Sequence, residues 1–460
     1  MSAISQRFDP GTSVSVADVP AFVPLRVVDI DLAVPGGFSP PGSSEHVHPR
    51  GHVLALVRLH GRPLGMVDAI GNDPLTLWQA LADTAERELD VVTARRSTAH
   101  EASRPPDGIV PSPWPKAAVV APRQGTAHNS ATPAAAPPHS APDISVIVAT
   151  HNRPELLRQC LDSLLRMDYP RSRFEVIVVD NAPSDRAAER LVRGTYGERV
   201  HYVQEPVAGL ARAHNRGLTV ARGRIAAFTD DDTLVDARWL SALAETFSRD
   251  RRIGCVTGLI VPGELATESQ VMLERHGGFA KGYVPCTWSL DDPPSDPLFP
   301  FTAGRFGSGT NMAFLIEPLR ALLGFDPATG TGTPAHGGDD LLAFFRILTA
   351  GHTLAYQPGA IVWHRHRRTP DALDNQAFGY GAGLGAYLTG ALLHEPRMIP
   401  ALLRRLPRGI RYAVSRAHGR AQPGTAWSRR LALLELRGLL YGPFGYLRSH
   451  RLNRTDSSRY

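Results

Sequence analysis

Arg224-Ile225-Ala226-Ala227-Phe228-Thr229-Asp230-Asp231-Asp232 is an apolar run that stops at three consecutive carboxylates. Ile225 to Phe228 has the length of a buried strand bounded by polar residues, which puts the aspartates at its carboxyl end. Open α/β sheets bind ligands at that edge. Adjacent anions repel, so the run needs a solvated rim or a cation to offset its charge. Taken alone, these residues leave an acidic turn and a metal-binding strand end equally open.

The segments before this run supply a context. Ile144-Ser145-Val146-Ile147-Val148-Ala149-Thr150 reads as a buried strand, and Pro154 suits the first turn of a helix in which Leu156, Leu157, Cys160, Leu161, Leu164 and Leu165 recur at helical spacing. Phe174 to Val179 makes a second strand that ends at Asp180-Asn181, a helix follows near 184–194, and Val200 to Val203 makes a third strand. A helix over Gly209 to Val220 then delivers the chain to the aspartates. Strands alternating with helices over about 90 residues predict an α/β fold with a doubly wound, mostly parallel sheet. Thr150 to Arg153 and Asp180 therefore share one edge with the aspartates, and helix N-termini there offer free N–H groups to phosphates. Neither G-x-x-x-x-G-K-[ST] nor G-x-G-x-x-G is present, so a P-loop ATPase and a dinucleotide enzyme are unsupported. What remains is a nucleoside diphosphate whose charge is met by a divalent metal.

The chain has 460 residues, enough for two or three domains, and its 43% hydrophobic and 20% charged residues are those of a globular protein. Lysine occurs only at Lys116 and Lys281, so arginine carries the positive charge, as in a GC-rich coding sequence. The net charge of +6 is uneven: residues 397–460 hold fourteen arginines against Glu435 and Asp456, a net of +12, and the rest is net acidic. A basic end attracts anionic surfaces, lipid headgroups or nucleic acid. Cys160, Cys255 and Cys286 are widely spaced without a CxxC pair, so neither a disulfide framework nor a zinc site is implied and a reducing cytoplasm fits. Met1 to Pro20 lacks an apolar signal core, and no run is apolar and long enough for a transmembrane helix.

Composition divides the chain into a disordered 1–20, a small α+β module at 21–96, a Pro/Ala-rich linker at 97–142, a main domain at 143–370 and a basic helical region at 371–460. The module reads as strands at Pro24–Leu32, His52–His60 and Pro63–Val67 with a helix over Pro74–Ala94. Its His46, His48, His52 and His60 are read as solvated or structural. Later in the main domain come a helix at Leu234–Phe247, a strand at Ile253–Gly258 and an irregular stretch, Glu264 to Phe306. Phe279, Tyr283 and Trp288 in that stretch are expected to pack rather than stack on a sugar. Asp339-Asp340 opens a helix, where a cap and a dipole partner explain one carboxylate. Strands at Leu354–Tyr356 and Ala360–Trp363 end in His364-Arg365-His366-Arg367-Arg368. The last helices are expected at Phe378–Leu393, Met398–Ser415 and Ala426–Tyr441. Lying on a membrane surface and packing with arginines outward are both open for them.

Val148-Ala149-Thr150-His151-Asn152-Arg153, Val179-Asp180-Asn181, Ala211-Arg212-Ala213-His214-Asn215-Arg216-Gly217 and Thr229-Asp230-Asp231-Asp232, in this order, resemble family 2 glycosyltransferases of the GT-A fold. The resemblance continues through Gly309-Thr310-Asn311-Met312-Ala313, Gly337-Gly338-Asp339-Asp340-Leu341 and Val362-Trp363-His364-Arg365-His366, and is to an actinobacterial type of the family with an extra N-terminal module. It implies a nucleotide-sugar donor at the strand ends. Ala149, Thr150, Arg153 and Asp231 would contact the nucleotide, and Asp180 would accept from the base. Asp230 and Asp232 would form the DxD pair, with Asp232 and His364 on a Mg²⁺ or Mn²⁺ ion and Asp230 between metal and ribose. Asn311 would hold donor or acceptor sugar. Asp340 would be the general base, with Asp339 its neighbour.

A single base is enough for an inverting transfer, and no second isolated carboxylate is evident for a double displacement, so inversion is expected. The expected partners are a nucleoside-diphosphate sugar and a glycan or lipid-linked acceptor, with no nucleic acid. The expected location is cytoplasmic, with peripheral contact at the inner face of the cell membrane. The competing readings are a nucleotidyltransferase and a non-catalytic glycan or membrane scaffold.

Overall fold

The computed structural model describes residues 24–89, 142–276, 278–405, 407 and 426–457. The expected disorder at 1–20, nearly all of the 97–142 linker, the end of the 74–94 helix and half of the 398–415 helix lie outside the described residues.

The N-terminal module contains β1 (Arg26–Asp31), β2 (Gly51–Leu59), β3 (Arg62–Gly71) and α1 (Pro74–Glu88), with β1 parallel and β3 antiparallel to β2. His60 and Gly61 turn the hairpin with φ of 51° and 76°, the left-handed backbone of a primed two-residue turn. Asp73 caps α1 by accepting from the Leu75 and Thr76 N–H groups, and Pro74 sits in the first turn. Along β2 the faces alternate: Val53, Ala55 and Val57 pack with Leu77 and Leu81 of α1, while Leu54 and Leu56 pack with Leu259, Val261, Ile361 and Trp363 of the main domain. The module is thus seated on the main sheet. Arg58 fixes the contact, donating to Asp29 and, at 2.6 Å, to Asp236.

The main domain runs β4 (Ile144–Thr150), α2 (Pro154–Leu164), β5 (Phe174–Asn181), α3 (Ala187–Leu191), β6 (His201–Glu205), α4 (Leu210–Val220), β7 (Ile225–Asp230), β8 (Thr233–Val235), α5 (Trp239–Arg249) and β9 (Ile253–Glu264). It continues through α6 (Glu268–His276), β10 (Cys286–Trp288), β11 (Asn311–Leu315), α7 (Ile316–Ala321), α8 (Asp339–Thr349), β12 (Thr353–Arg365), α9 (Pro370–His394) and α10 (Ala426–Ser457). The sheet order is β10-β12-β9-β11-β7-β4-β5-β6, with β8 on β12. The β7-β4-β5-β6 half is parallel throughout, as the strand–helix alternation predicts, and β11 enters antiparallel between β7 and β9. Residues of α2, α3 and α5 cover one face and those of α4, α7, α8 and α9 the other, so the central strands are apolar on both sides.

Some elements differ from the sequence reading. The helix expected from Leu234 begins at Trp239, because Thr233 to Val235 pair with β12. The helix near 184–194 is a short α-turn followed by a π-turn at Val192–Tyr196. The two strands near Leu354 and Ala360 are one strand, interrupted in register between Gln357 and Ile361. Helices α9 and α10 pack side by side in the same direction with their backbones touching: a Cβ at Gly381 would overlap the Glu435 carbonyl, and one at Gly438 the Phe378 carbonyl.

Candidate functional site

The register of two strands assembles the acidic centre. β7 pairs Asp230 beside Ala149 of β4, and β8 pairs Thr233 with His364 of β12. The Arg365 N–H donates to the Asp232 carbonyl at 3.0 Å, which holds the turn in place. One ligand atom each of Asp230, Asp232 and His364 then lies within 4.8 Å of the others. Asp232 Oδ1 faces His364 Nε2 at 3.4 Å, and its Oδ2 faces Arg153 Nη1 at 3.2 Å and Arg367 Nη1 at 3.5 Å. Burial pushes the Asp232 carboxyl up, but His364, Arg367 and Arg153 together hold it well below the usual carboxylate range. Asp230 is raised by burial and by Asp232, and its Oδ2 accepts from the Thr310 hydroxyl at 2.7 Å. Asp231 spends both oxygens on protein: Thr150 Oγ1 donates at 2.8 Å and Arg153 Nη1 at 3.3 Å. Burial and Asp232 push the Asp231 carboxyl up to about 6.

Behind His364 stands a second histidine. His366 Nδ1 is 3.2 Å from His364 Nδ1, its Nε2 is 2.8 Å from Glu274 Oε2, and its ring is buried. Phe279 packs edge-on against His364, with ring centroids 5.0 Å apart, so the expected packing role falls beside the acidic centre. Trp288 packs on Phe306 and Tyr283 on the sheet. Among the arginines after β12, Arg365 bonds Gln159 and Arg368 pairs with Glu264, leaving Arg367 as the one that faces Asp232.

At the parallel end of the sheet, Asp180 is buried at the end of β5. Its Oδ2 accepts from the Tyr202 hydroxyl at 2.8 Å, and its Oδ1 has no partner among the described residues. Burial raises its carboxyl, offset in part by Tyr202. A cleft lined by Asn152, Pro154, Asp180, Asp185, Ala187 and Ala188 opens next to it, at the uncapped N-terminus of α2. Thr150 and Ala149 end the neighbouring strand and are buried.

Across the acidic centre, Gly338 precedes α8 with φ 87°, and Asp339 and Asp340 form the first turn. The carboxyl of Asp340 accepts from the Gly309 N–H at 2.7 Å and from the Leu341 N–H at 2.8 Å. Burial and the Asp339 charge push it up to about 6. Asp339 is buried, with Oδ2 3.5 Å from Nδ1 of the buried His214. Gly309 and Thr310, adjacent in sequence, thus hold one carboxylate each, Asp340 and Asp230. Asn311 is the exception among the expected contacts. Its amide donates to the Leu259 and Ala360 carbonyls, its Oδ1 accepts from Trp239 Nε1, and it is fully buried, so its side chain does not reach the site. Asp230, Asp232 and His364 come together, Arg153 reaches Asp231 and Asp232, and Thr150 reaches Asp231. Thr310, His214 and His366 stood in the quoted motifs without a role, and Glu274 and Tyr202 had no signal; His366 also lies two residues from His364 on a strand and so on its face.

Residues 145–323 match the description Glycosyl transferase family 2. The succinoglycan biosynthesis protein ExoM of Rhizobium meliloti is 31% identical over 238 residues, 51% of this chain and 69% of that one. Glycosyltransferase AglE of Haloferax volcanii is 32% identical over 109 residues, which span 23% of this chain and only 36% of AglE. The mannosyltransferase PcManGT from Pyrobaculum calidifontis, solved in complex with GDP-Man and Mn²⁺, superposes with a TM-score of 0.44 at 20% identity over 72% of this chain and 90% of that one.

Proposed function

The chain belongs to glycosyltransferase family 2, and we propose that it moves a sugar, with inversion, from a nucleoside-diphosphate sugar to a hydroxyl of a glycan or lipid-linked acceptor, on the cytoplasmic side of the cell membrane. The observation that carries this reading is the pairing of two unlike carboxylate sites across Gly309-Thr310: Asp230 with Asp232 and His364 on one side, Asp340 on the other. One side suits a diphosphate with its cation, and the other a proton acceptor.

Two carboxylates and an imidazole are the donor set of a divalent cation such as Mn²⁺ or Mg²⁺, and the buried Asp232 Oδ1 lacks a hydrogen-bond partner among the described residues, so the site fits one held by Asp230, Asp232 and His364. When bound, such an ion supplies Lewis-acid stabilisation of the departing diphosphate. The remaining work falls to side chains. Asp180 Oδ1 accepts from the base, in the cleft beside Asn152 and Asp185. Thr150 and Ala149, at the end of the strand paired with that of Asp180, contact the nucleotide beside it. Arg153 and Arg367 add positive charge where the diphosphate leaves, and the α2 N-terminus adds free N–H groups. Asp340 takes the proton of the attacking hydroxyl, and its two backbone N–H donors fix the direction of its lone pairs. Asp339 is its neighbour in the first turn of α8, with Oδ2 3.5 Å from His214 Nδ1. One base is enough for a single displacement, which is the course proposed.

The test is a screen of nucleotide sugars by thermal shift with and without Mn²⁺, followed by turnover with the donor found. Turnover lost in both D232N and D340N, with donor binding kept in D340N and a product of inverted anomeric configuration, supports the reading. Release of pyrophosphate instead of nucleoside diphosphate would indicate a nucleotidyltransferase, and donor binding without turnover on any acceptor a non-catalytic scaffold.

A further inference from the structure

Among the described residues, helix α10 has one face that packing leaves unused. On its inner side Gly438 and Gly442 lie against α9, and Leu431, Tyr446 and Ser449 are buried. On the outer side Leu433, Leu436, Leu440, Phe444 and Leu447 are 61%, 52%, 74%, 61% and 46% exposed. At 3.6 residues per turn these five fall within an arc of about 80°. Arg429 and Arg451 close the stripe at its ends, Arg437 and Arg448 border one flank, and all four are exposed. Glu435 falls on the opposite side, so no acidic residue interrupts the face. Scattered exposed leucines need no cause, but a continuous apolar stripe on a folded helix does.

The charge decides what covers it. A cationic rim around an apolar stripe is complementary to a surface that is anionic outside and apolar beneath, which is a lipid headgroup layer. No described helix is long and apolar enough to cross a membrane, so α10 lies along the surface rather than through it. We propose that α10 docks the protein on an anionic bilayer, burying Leu433, Leu436, Leu440, Phe444 and Leu447 below the headgroups with Arg429, Arg437, Arg448 and Arg451 on the phosphates. The docked helix is tied to the reaction side. Its Tyr446 hydroxyl donates to Asp326 at 2.7 Å, Gly445 lies against Pro334, and Gly383 of the partner helix α9 lies against Gly338, immediately before Asp339-Asp340. An acceptor held by a lipid is the class that such docking would serve. This deepens the proposed function in its acceptor class, and rests on it there, while the docking itself is measured without any sugar chemistry.

The experiment is co-sedimentation of the full chain with phosphatidylcholine vesicles, with and without phosphatidylglycerol. Binding is expected only to the anionic vesicles and to weaken with salt. L440E/F444E should abolish it, and each of R437Q and R448Q should weaken it about fivefold. Circular dichroism and nucleotide-diphosphate binding of all these variants should match the parent, which shows that they fold. Absence of binding, equal binding to both vesicle types, or binding indifferent to L440E/F444E overturns the proposal. So does a concentration-dependent dimer that L440E/F444E dissolves, since the stripe would then belong to a second copy. Vesicle binding that survives while no donor is turned over leaves the docking standing and removes the proposed reaction.

Discussion

His366 joins Glu274 to His364, with its Nε2 2.8 Å from the carboxylate and its Nδ1 3.2 Å from the Nδ1 of His364. A carboxylate can only accept, so the proton between them sits on His366 Nε2. Burial lowers the pKa of His366 and keeps the ring neutral, so its Nδ1 is bare and the Nδ1–H of His364 donates to it. The chain of donors therefore leaves His364 to present Nε2 toward Asp232. Such outer contacts fix both the ring and the tautomer of a ligating histidine.

Removing this support should loosen the ion without touching the nucleotide. H366F is expected to weaken Mn²⁺ binding about 10- to 100-fold, read by electron paramagnetic resonance of free Mn²⁺ in the purified protein. Metal-free nucleotide binding should stay near that of the parent, and H366Q, which retains an acceptor, should fall between the two. Unchanged Mn²⁺ affinity in H366F would show that Phe279 and the strand alone hold His364.

Asp340 should set the acid limb of the pH profile. Its carboxyl is pushed up to about 6 by burial and by Asp339. A general base works only when deprotonated, so kcat/KM should be flat above that pH and fall as pH drops through it. D340N should remove that limb and cost about 10²- to 10⁴-fold in kcat, with donor affinity kept. A profile in D340N with the parent's acid limb would assign the limb to another group.

Much of this was legible in the chain because local patterns reported it. Apolar runs such as Ile144 to Ala149 mark strands buried on both faces, and the carboxylates follow at their ends. The seating of the N-terminal module was not read, although Val53 to Val57 is a run without the polar alternation that a one-sided sheet would show. Partners distant in sequence leave no local mark. Thr310 is 80 residues from Asp230, and Glu274 is 92 from His366, so only the folded chain brings them together. Asn311 misled because the turn before it does approach the site. The glycine and threonine of that turn make the contacts, while the Asn side chain points into the core between β9 and β12.

The junction between module and main domain should depend on Arg58. It donates to Asp29 and Asp236, and its side chain is 10% exposed. R58M would leave two facing carboxylates without a cation, and breaking a buried pair in this way costs about 3–5 kcal/mol. R58K keeps the charge but loses the two-pronged geometry, and should cost less. Urea unfolding of the full chain measures both. A loss below about 1 kcal/mol in R58M, the range of an exposed pair, would mean that Leu54, Leu56 and their partners seat the module unaided.

The two ends of α8 offer a matched pair of glycines. Gly338 at its start has φ 87°, and Gly351 beyond its end has φ 90°. Alanine at either position pays about 1–2 kcal/mol for the left-handed backbone. At Gly351 nothing lies within 4 Å of the added Cβ, so that strain is the whole effect and kcat should not change. At Gly338 the Cβ would overlap the Gly383 carbonyl, and the first turn of α8 must shift to admit it. Asp340, the proposed proton acceptor, sits in that turn and accepts from the Gly309 N–H at 2.7 Å. G338A should therefore lower kcat by at least about tenfold, since a misplacement near 1 Å at a reacting group is costly, and melt below G351A. Equal melting temperatures and equal kcat in the two variants would show that α9 yields at Gly383 and that α8 keeps its start.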